Sequence, residues 1–590
     1  MLSRSPSAGR RFQLLLIKPS HYDDDGYVIQ RMRSYIPSNT LAVLYGLFQD
    51  CATRQVLGSD VAIDISVFDE INARVRPNQL VKRFRRHGNF GLVVFAGVQT
   101  NQYPRTLDLA RPLCAADIPV AIGGFHISGC LAMLPGLQGD LQEAIDMGIS
   151  LFAGELEDHC DEMLRAAANG LLRPIYNFLE DLPELQSKPM PMLPRRYLAR
   201  TFNLMTSFDA GRGCPYQCSF CTIINVQGRK SRQRSADDVD KIVRANAAQK
   251  VSWFFITDDN FARNKNWEPI FDRLIQMREV DRLNPKLIVE VDALCHKIPN
   301  FIEKAARAGV RWVFVGLESI NPANLLAAKK RQNKLTEYRQ MLLAWKSVGV
   351  TTFAGYILGF PTDTFNGILE DINIIKKELP VDILQLSCLT PLPGSEDHRK
   401  LWEIGVPMDT DYNRYDIEHP CVAHPNMTRE QWEEIYRKAW EVYYCPEHIE
   451  TILRRGAATG TPISNLAGIL LFFSATAAIE NMHPIQCGAF RLKRRKDRRP
   501  TFPIEPVGQF YPKYFAEIIR KNISYTKRIL AIQRMKHRIQ KDSKRHSYRD
   551  DALKPVSSQD TEVLALFTHN ETTRKAVQHA RKVAELTRTG

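Results

Sequence analysis

The chain has 590 residues, 44% hydrophobic and 25% charged, with 32 glycines and 33 prolines. These fractions exclude collagen-like and wholly disordered chains, and 12 cysteines over this length are too sparse for a disulfide scaffold, which points to a reducing compartment. The formal net charge of +15 is confined to one end: residues 491–590 hold 25 Lys and Arg against 10 Asp and Glu, and the first 490 hold 55 of each.

In chain order, residues 1–170 alternate apolar strand runs with helical spacings. FQLLLIK (12–18), VAIDISVF (61–68), FGLVVFAG (90–97), IPVAIGG (118–124) and ISLFAG (149–154) read as buried strands, and 41–50 and 106–116 as helices between them. The first run is cut by Lys18 and Pro19, too early for a signal-peptide core, so a cytoplasmic protein is expected. Such alternation implies a parallel sheet covered on both faces, with ligands beyond the carboxyl ends of its strands. Residues 171–200, rich in proline, read as a linker.

A second series spans 201–425, with strands expected at 203–211, 251–258, 286–293, 310–318, 351–359 and 382–390. Six βα units suggest a partial (β/α)6 TIM-type barrel. Beyond 425 helical patterns dominate: a helical domain over 426–540 is followed by a polar, mobile tail over 541–590. The apolar run 467–479 falls short of the roughly 20 residues that cross a bilayer.

Chemistry is concentrated in GRGCPYQCSFC, which sets Cys214, Cys218 and Cys221 in a C-x3-C-x2-C loop just after the first barrel strand. Three thiolates from one loop can hold three irons of a [4Fe–4S] cluster and leave the fourth open to another ligand. A zinc site asks for a fourth ligand that the neighbourhood lacks; chance clustering of buried cysteines is the bland alternative.

At these residues the chain resembles the radical S-adenosylmethionine (radical SAM) superfamily, in which an aromatic residue precedes the last cysteine, as Phe220 does here. The resemblance implies a cluster whose open iron chelates S-adenosylmethionine and cleaves it to a 5′-deoxyadenosyl radical, fed by an electron donor such as flavodoxin or ferredoxin. It also implies cofactor contacts at Asp258 and Asp259 after the second strand and at Glu318 and Ser319 after the fourth. GYILGFP (355–361) and TPLPGS (390–395) resemble the family's fifth- and sixth-strand segments.

The amino-terminal sheet resembles the Rossmann-like (flavodoxin-like) cobalamin-binding domain of a large radical SAM subclass. The matching pieces are GVQTNQ with Gly97 and Thr100, GGFHIS with Gly123, Gly124, His126 and Ser128, and GELE with Gly154 and Glu155. The glycines would let a bulky corrin or its nucleotide tail approach the backbone. The D-x-H-x-x-G motif that supplies a lower cobalt ligand elsewhere is absent; His126 reads as a pocket or turn residue, and His21 has the better position without a supporting pattern.

The resemblance thus implies a cobalamin-dependent C-methyltransferase acting on an unactivated carbon, and the basic carboxyl-terminal end suggests an apolar or lipid-like small molecule as its substrate. Rival readings are a ring-forming or oxidative enzyme of the anaerobic magnesium-protoporphyrin ester cyclase type and a non-catalytic cobalamin/Fe–S sensor. In the carboxyl-terminal region, Trp432, Trp440, Tyr443 and Tyr444 read as helix core. The basic runs 491–499 and 520–541 suggest peripheral contact with an anionic membrane at its inner face; a solvated tail is the plain alternative, and nothing patterned favours nucleic acid.

Overall fold

In the computed structural model, which describes residues 10–555 and 564–569 with scattered positions as far as 579, the amino-terminal runs form one six-stranded parallel sheet. Its strands are β1 (Arg10–Lys18), β2 (Val61–Asp69), β3 (Gly91–Phe95), β4 (Val120–Gly123), β5 (Ser150–Ala153) and β6 (Ile175–Asn177), in the order β2-β1-β3-β4-β5-β6. β1 is buried without interruption from Phe12 to Ile17, as a strand covered on both faces must be. Order reverses between β1 and β3, the switch point at which such sheets bind ligands.

The stretch 171–200 does more than link. Ile175–Asn177 pairs with β5, Leu185, Leu193 and Leu198 are buried, and the Met192 amide donates to Ala42 O at 3.0 Å. A three-residue strand is too short to show periodicity, so composition alone reads as linker.

The second sheet contains β7 (Met205–Phe208), β8 (Trp253–Ile256), β9 (Lys286–Val291), β10 (Val310–Glu318), β11 (Thr351–Leu358) and β12 (Ile383–Cys388). Each pairs in parallel with the next in sequence, which makes an incomplete barrel. Helix α1 (Asn39–Thr53) begins at Ser38, whose hydroxyl accepts from the Leu41 amide, and joins the two sheets. Beside its start Asn39 donates to Asp209 at 3.3 Å, and the Ser207 hydroxyl donates to Pro37 O at 3.3 Å. On the far side helix α2 (Phe125–Met133) meets the loop 390–395: a Cβ on Gly129 would stand 2.2 Å from Pro393 O. Only glycine lets these two backbones touch.

Beyond the barrel, α3 (Arg429–Tyr443), α4 (Pro446–Thr459), α5 (Ile463–Ala475) and α6 (Val507–Lys541) cover the side on which β12 ends. The Tyr444 hydroxyl accepts from the Leu384 amide and donates to Leu384 O, which closes the open edge of β12. α5 continues as a π turn to Glu480, so 463–480 is long and apolar enough to cross a membrane by length and composition. Its Leu466, Leu470 and Phe473 are nevertheless buried in the protein core. The expected polar tail lies partly outside the described residues; within them, Leu566 and Phe567 are buried, and their segment is held by Glu378, which accepts from the Ala565 and Leu566 amides.

Candidate functional site

The cysteine loop leaves β7 through Gly211 and Arg212 and is fixed by backbone contacts. The Cys214 amide donates to Gly228 O, the Cys221 amide to Cys218 O, and the Ser219 amide to Ala328 O. Burial pushes the Cys214 thiol up to about 11 and Cys221 up to about 12. Such thiols lose their protons to a strongly bound metal rather than to water. Among the described residues, no three His, Cys, Asp or Glu side chains gather as ligands of one ion; three thiolates spread over three irons need no such convergence. The donor set therefore fits an Fe–S cluster.

Around the loop stand residues that sequence reasoning passed over. Lys330 is buried, paired with Glu318, and its ammonium stands 5.8 Å from the Phe220 ring centre. Gln332 reaches the Cys218 sulfur at 3.5 Å. Glu318 itself holds φ +62°, where the register of β10 against β11 slips between Gly316 and Glu318. A non-glycine residue in that region is a conformation kept at functional sites. The Ser319 hydroxyl accepts from the Asn321 amide and from Asn324, so it organises the turn after β10.

The two aspartates after β8 differ sharply. Asp258 accepts from the Ala210 and Gly211 amides at 2.7 and 2.8 Å and from Asn264 at 2.8 Å, so its carboxylate is spent on holding the exit of β7. Among the described residues Asp259 makes no hydrogen bond to another residue, and burial pushes it up to about 7. Its carboxyl is the one left to meet a cofactor. Glu290 on β9 faces the same pair, and burial followed by those two charges pushes it up to about 8. Asp292, by contrast, is engaged by Arg263 at 2.6 Å and Asn260 at 2.9 Å.

At the carboxyl edge of the amino-terminal sheet lies a slot of about 160 Å³. Gly97, Gly123, Gly124, Ser128, Gly154 and Glu155 all line it. Thr40, Val43 and Leu44 of α1 complete the wall, a contribution invisible without the fold. Thr100 and His126 stand outside it. His126 is fully buried, 3.0 Å from Asp140 Oδ2 and packed on Tyr103, and Thr100 lies behind it. The physical reason is the turn into α2, which starts at Gly124 and directs the histidine away from the sheet edge.

Gly124 has φ +147°, and a Cβ there would stand 2.1 Å from Val98 N; at Gly123 the nearest atom would be 3.4 Å away. Gly124 is thus required by the protein's own backbone, whereas Gly123 leaves free space in the slot. A cavity this size takes one part of a cobalamin, such as its nucleotide base, rather than the whole. Small residues on one side and apolar ones on the other suit that part.

The slot and the cysteine loop share a wall. Arg212, two residues before Cys214, lines the slot together with Val226 and Gln227 from the segment after Cys221. Its guanidinium pairs with Glu155 at 2.7 Å, Glu157 at 2.6 Å and Asp209 at 3.3 Å, and Arg232 adds a second contact to Glu155 at 2.5 Å. Glu155 therefore borders the slot while its carboxylate binds the barrel.

His21 follows β1 but does not reach the slot. It meets Gln486 at 2.9 Å and lines a separate cavity of about 650 Å³ between the 21–29 loop and the carboxyl-terminal helices. Trp432, Trp440, Tyr443 and Tyr444 are all buried in the core, and Trp440 and Tyr444 also line that cavity.

Known proteins resemble this chain in sequence and in fold. The Radical SAM superfamily profile matches residues 210–375. The hopanoid C-2 methylase of Rhodopseudomonas palustris is 26% identical over 356 residues, which span 59% of this chain and 64% of the relative. The bacteriochlorophyllide d C-8(2)-methyltransferase of Chlorobaculum tepidum is 25% identical, over 54% of this chain and 70% of the relative. Among solved structures, the radical S-adenosylmethionine methyltransferase TsrM from Kitasatospora setae, with cobalamin and a [4Fe–4S] cluster bound, superposes with TM-score 0.57 at 16% identity. That match covers 79% of this chain and 99% of TsrM. The cobalamin-dependent radical enzyme OxsB with aqua-cobalamin has TM-score 0.50 at 12% identity, over 96% of this chain and 84% of OxsB.

Proposed function

From a chain that carries a radical SAM domain, joined to an α/β domain in the fold of the cobalamin-dependent radical SAM enzymes, we propose a C-methyltransferase that acts on an unactivated carbon of an apolar, lipid-like or tetrapyrrole-like small molecule. The observation that carries this reading is the shared wall. Arg212, Val226 and Gln227 border the glycine-lined slot, and the same segment carries the three cysteines. A methyl donor and a site of hydrogen abstraction must lie close together, because a carbon radical is quenched by anything else it meets.

When bound, the cluster and S-adenosylmethionine supply one-electron chemistry and cobalamin supplies the methyl group. The protein's own residues do the rest. Cys214, Cys218 and Cys221 hold iron; Lys330 sets a positive charge beside them; Asp259 offers a buried carboxyl to an ammonium group; Ser128 and the slot glycines receive part of the cobalamin. The Arg212–Glu155–Arg232 pairs fix the two domains at one spacing. Cys218, Lys330, Arg212, Glu155 and Arg232 are buried, which limits the water that reaches the junction of the two sites.

The test is anaerobic turnover of iron-reconstituted, cobalamin-loaded protein with methyl-labelled S-adenosylmethionine and a cell extract split into lipid and aqueous fractions. Label in a lipid-soluble product together with 5′-deoxyadenosine supports the reading. Deoxyadenosine with an unlabelled, cyclised or oxidised product replaces methyl transfer by the cyclase-type reaction.

A further inference from the structure

The basic run 491–499, the sequence's first candidate for lipid contact, turns inward. Arg491 pairs with Asp23 at 2.7 Å, Lys493 with Asp25 at 3.2 Å and Arg499 with Asp411 at 2.6 Å, and Arg495 donates to Glu505 O at 2.9 Å. Arg491 and Lys493 staple the carboxyl-terminal region to the acidic loop after β1, and Arg499 ties it to the segment after the barrel. Of the run only Lys496 is exposed without an ion pair among the described residues; the longer row of free cations lies on α6.

One face of α6 is docked: Phe510, Ile532 and Ile539 are buried, Lys521 and Tyr525 reach Glu480, and Arg528 donates to Ser474 O. The opposite face is apolar and exposed. Phe515, Ile519, Ile523 and Leu530 share that face, with Phe515 57% and Ile519 61% exposed, and Val507 and Tyr511 are exposed nearer the start of the helix. Beside this stripe Lys513, Arg520, Lys527, Arg534 and Lys541 recur every seven residues, all exposed. Lys513 lies 3.8 Å from Glu505; the other four make no ion pair among the described residues. The only acidic residue of the helix, Glu517, is taken by Lys521 and Lys493. The stripe from Phe515 to Leu530 runs over roughly 22 Å at 1.5 Å rise per residue. The short ribbon that Tyr514 fastens to the start of α6 adds two more exposed apolar residues, Met32 and Phe490.

We infer that this face of α6 docks the protein on the surface of an anionic lipid bilayer, the apolar stripe entering the headgroup boundary and the basic ladder meeting lipid phosphates. A helix with an apolar side, a cationic flank and no free acid is the pattern of a segment lying in the interface plane. A second copy of the chain is a poor occupant: its matching face would bring ladder to ladder, with no carboxylate to answer either. The inference does not depend on the reaction proposed above.

The full-length protein, with its cofactors loaded, is floated with vesicles of phosphatidylglycerol and phosphatidylcholine and, separately, of phosphatidylcholine alone. It should rise with the anionic vesicles, stay behind with the neutral ones, and leave the anionic ones as salt is raised. Ile519→Asp and Phe515→Asp should abolish flotation, and each of Arg520→Gln, Lys527→Gln and Arg534→Gln should weaken partitioning about fivefold. Melting temperature should stay unchanged for Ile519→Asp and the three Gln variants, whose side chains are exposed; Phe515 also packs on Tyr511 and Tyr514, so Ile519→Asp is the cleaner test. Failure of the wild type to float, flotation of Ile519→Asp equal to wild type, or a dimer in solution that Ile519→Asp dissociates would each overturn the inference.

Discussion

At the carboxyl edge of the amino-terminal sheet stand Gly97, Gly123, Gly124 and Gly154, around a slot with room for part of a large, flat group. At the matching edge of the barrel stand Cys214, Asp258, Asp259 and Glu318, each charged or metal-ligating. Both sheets follow one connection rule, parallel strands with helical crossovers, so the scaffold does not choose the chemistry. Residue type at the strand ends does. Gly97, Gly124 and Gly154 let the backbone turn and close tightly while Gly123 leaves space; carboxylates and thiols in a buried place suit ions. The two meet at Arg212, which belongs to the barrel in sequence and to the slot in space.

The comparison breaks most completely at the cysteines. Replacing Cys214, Cys218 and Cys221 together by alanine should remove all bound iron and all deoxyadenosine formation while cobalamin stays bound, because the slot contains none of them. Iron and cobalamin content on one purified sample checks it, and iron retained by the triple variant would end the assignment.

Next comes the junction. Arg212→Met leaves Glu155, Glu157 and Asp209 buried with less compensation, which costs about 3–5 kcal/mol for a broken buried pair. Chemical denaturation should register that loss. The variant should also uncouple the two sites, keeping its iron yet losing methyl transfer.

The slot itself sharpens the contrast between two neighbouring glycines. Gly124→Ala should destabilise by about 1–3 kcal/mol through strain and overlap with Val98, and cobalamin should fall with it. Gly123→Ala meets nothing closer than 3.4 Å, so it should leave melting temperature alone. Gly123→Trp fills the slot and should lower cobalamin content without unfolding the domain. Equal thermal effects at the two positions would refute the division of labour.

A last effect, away from both sites, concerns pH. His419 lies 2.9 Å from Asp416 and 3.3 Å from Asp24, and those hydrogen bonds and charges overcome burial to raise it to about 10. A group raised above its unfolded value of about 6.5 contributes stability that is fully present below that pH and lost as pH rises through about 10. Wild type should therefore lose more stability than His419→Gln between neutral and strongly basic pH, measured by denaturant titration at matched salt.

The amino-acid sequence by itself determined most strands of both sheets, because buried parallel strands are continuous apolar runs, and it determined the cysteine triad, because its three members sit within eight residues. Asp259, Glu318 and the slot glycines were also legible, since strand ends mark where ligands bind. Tertiary structure alone decided what each charge does. Lys330 and Gln332 reach the cysteine loop from more than 100 residues away, and Glu155 finds Arg212 across a domain boundary. Asp258 and Asp259 are adjacent in the chain, yet one is consumed by backbone amides and the other is left free. The basic end of the chain divides in the same way, into cations paired with Asp23, Asp25 and Asp411 and a ladder left open on α6. Periodicity reports which residues share a face; only packing reveals which face is already covered, because partners distant in sequence supply the cover.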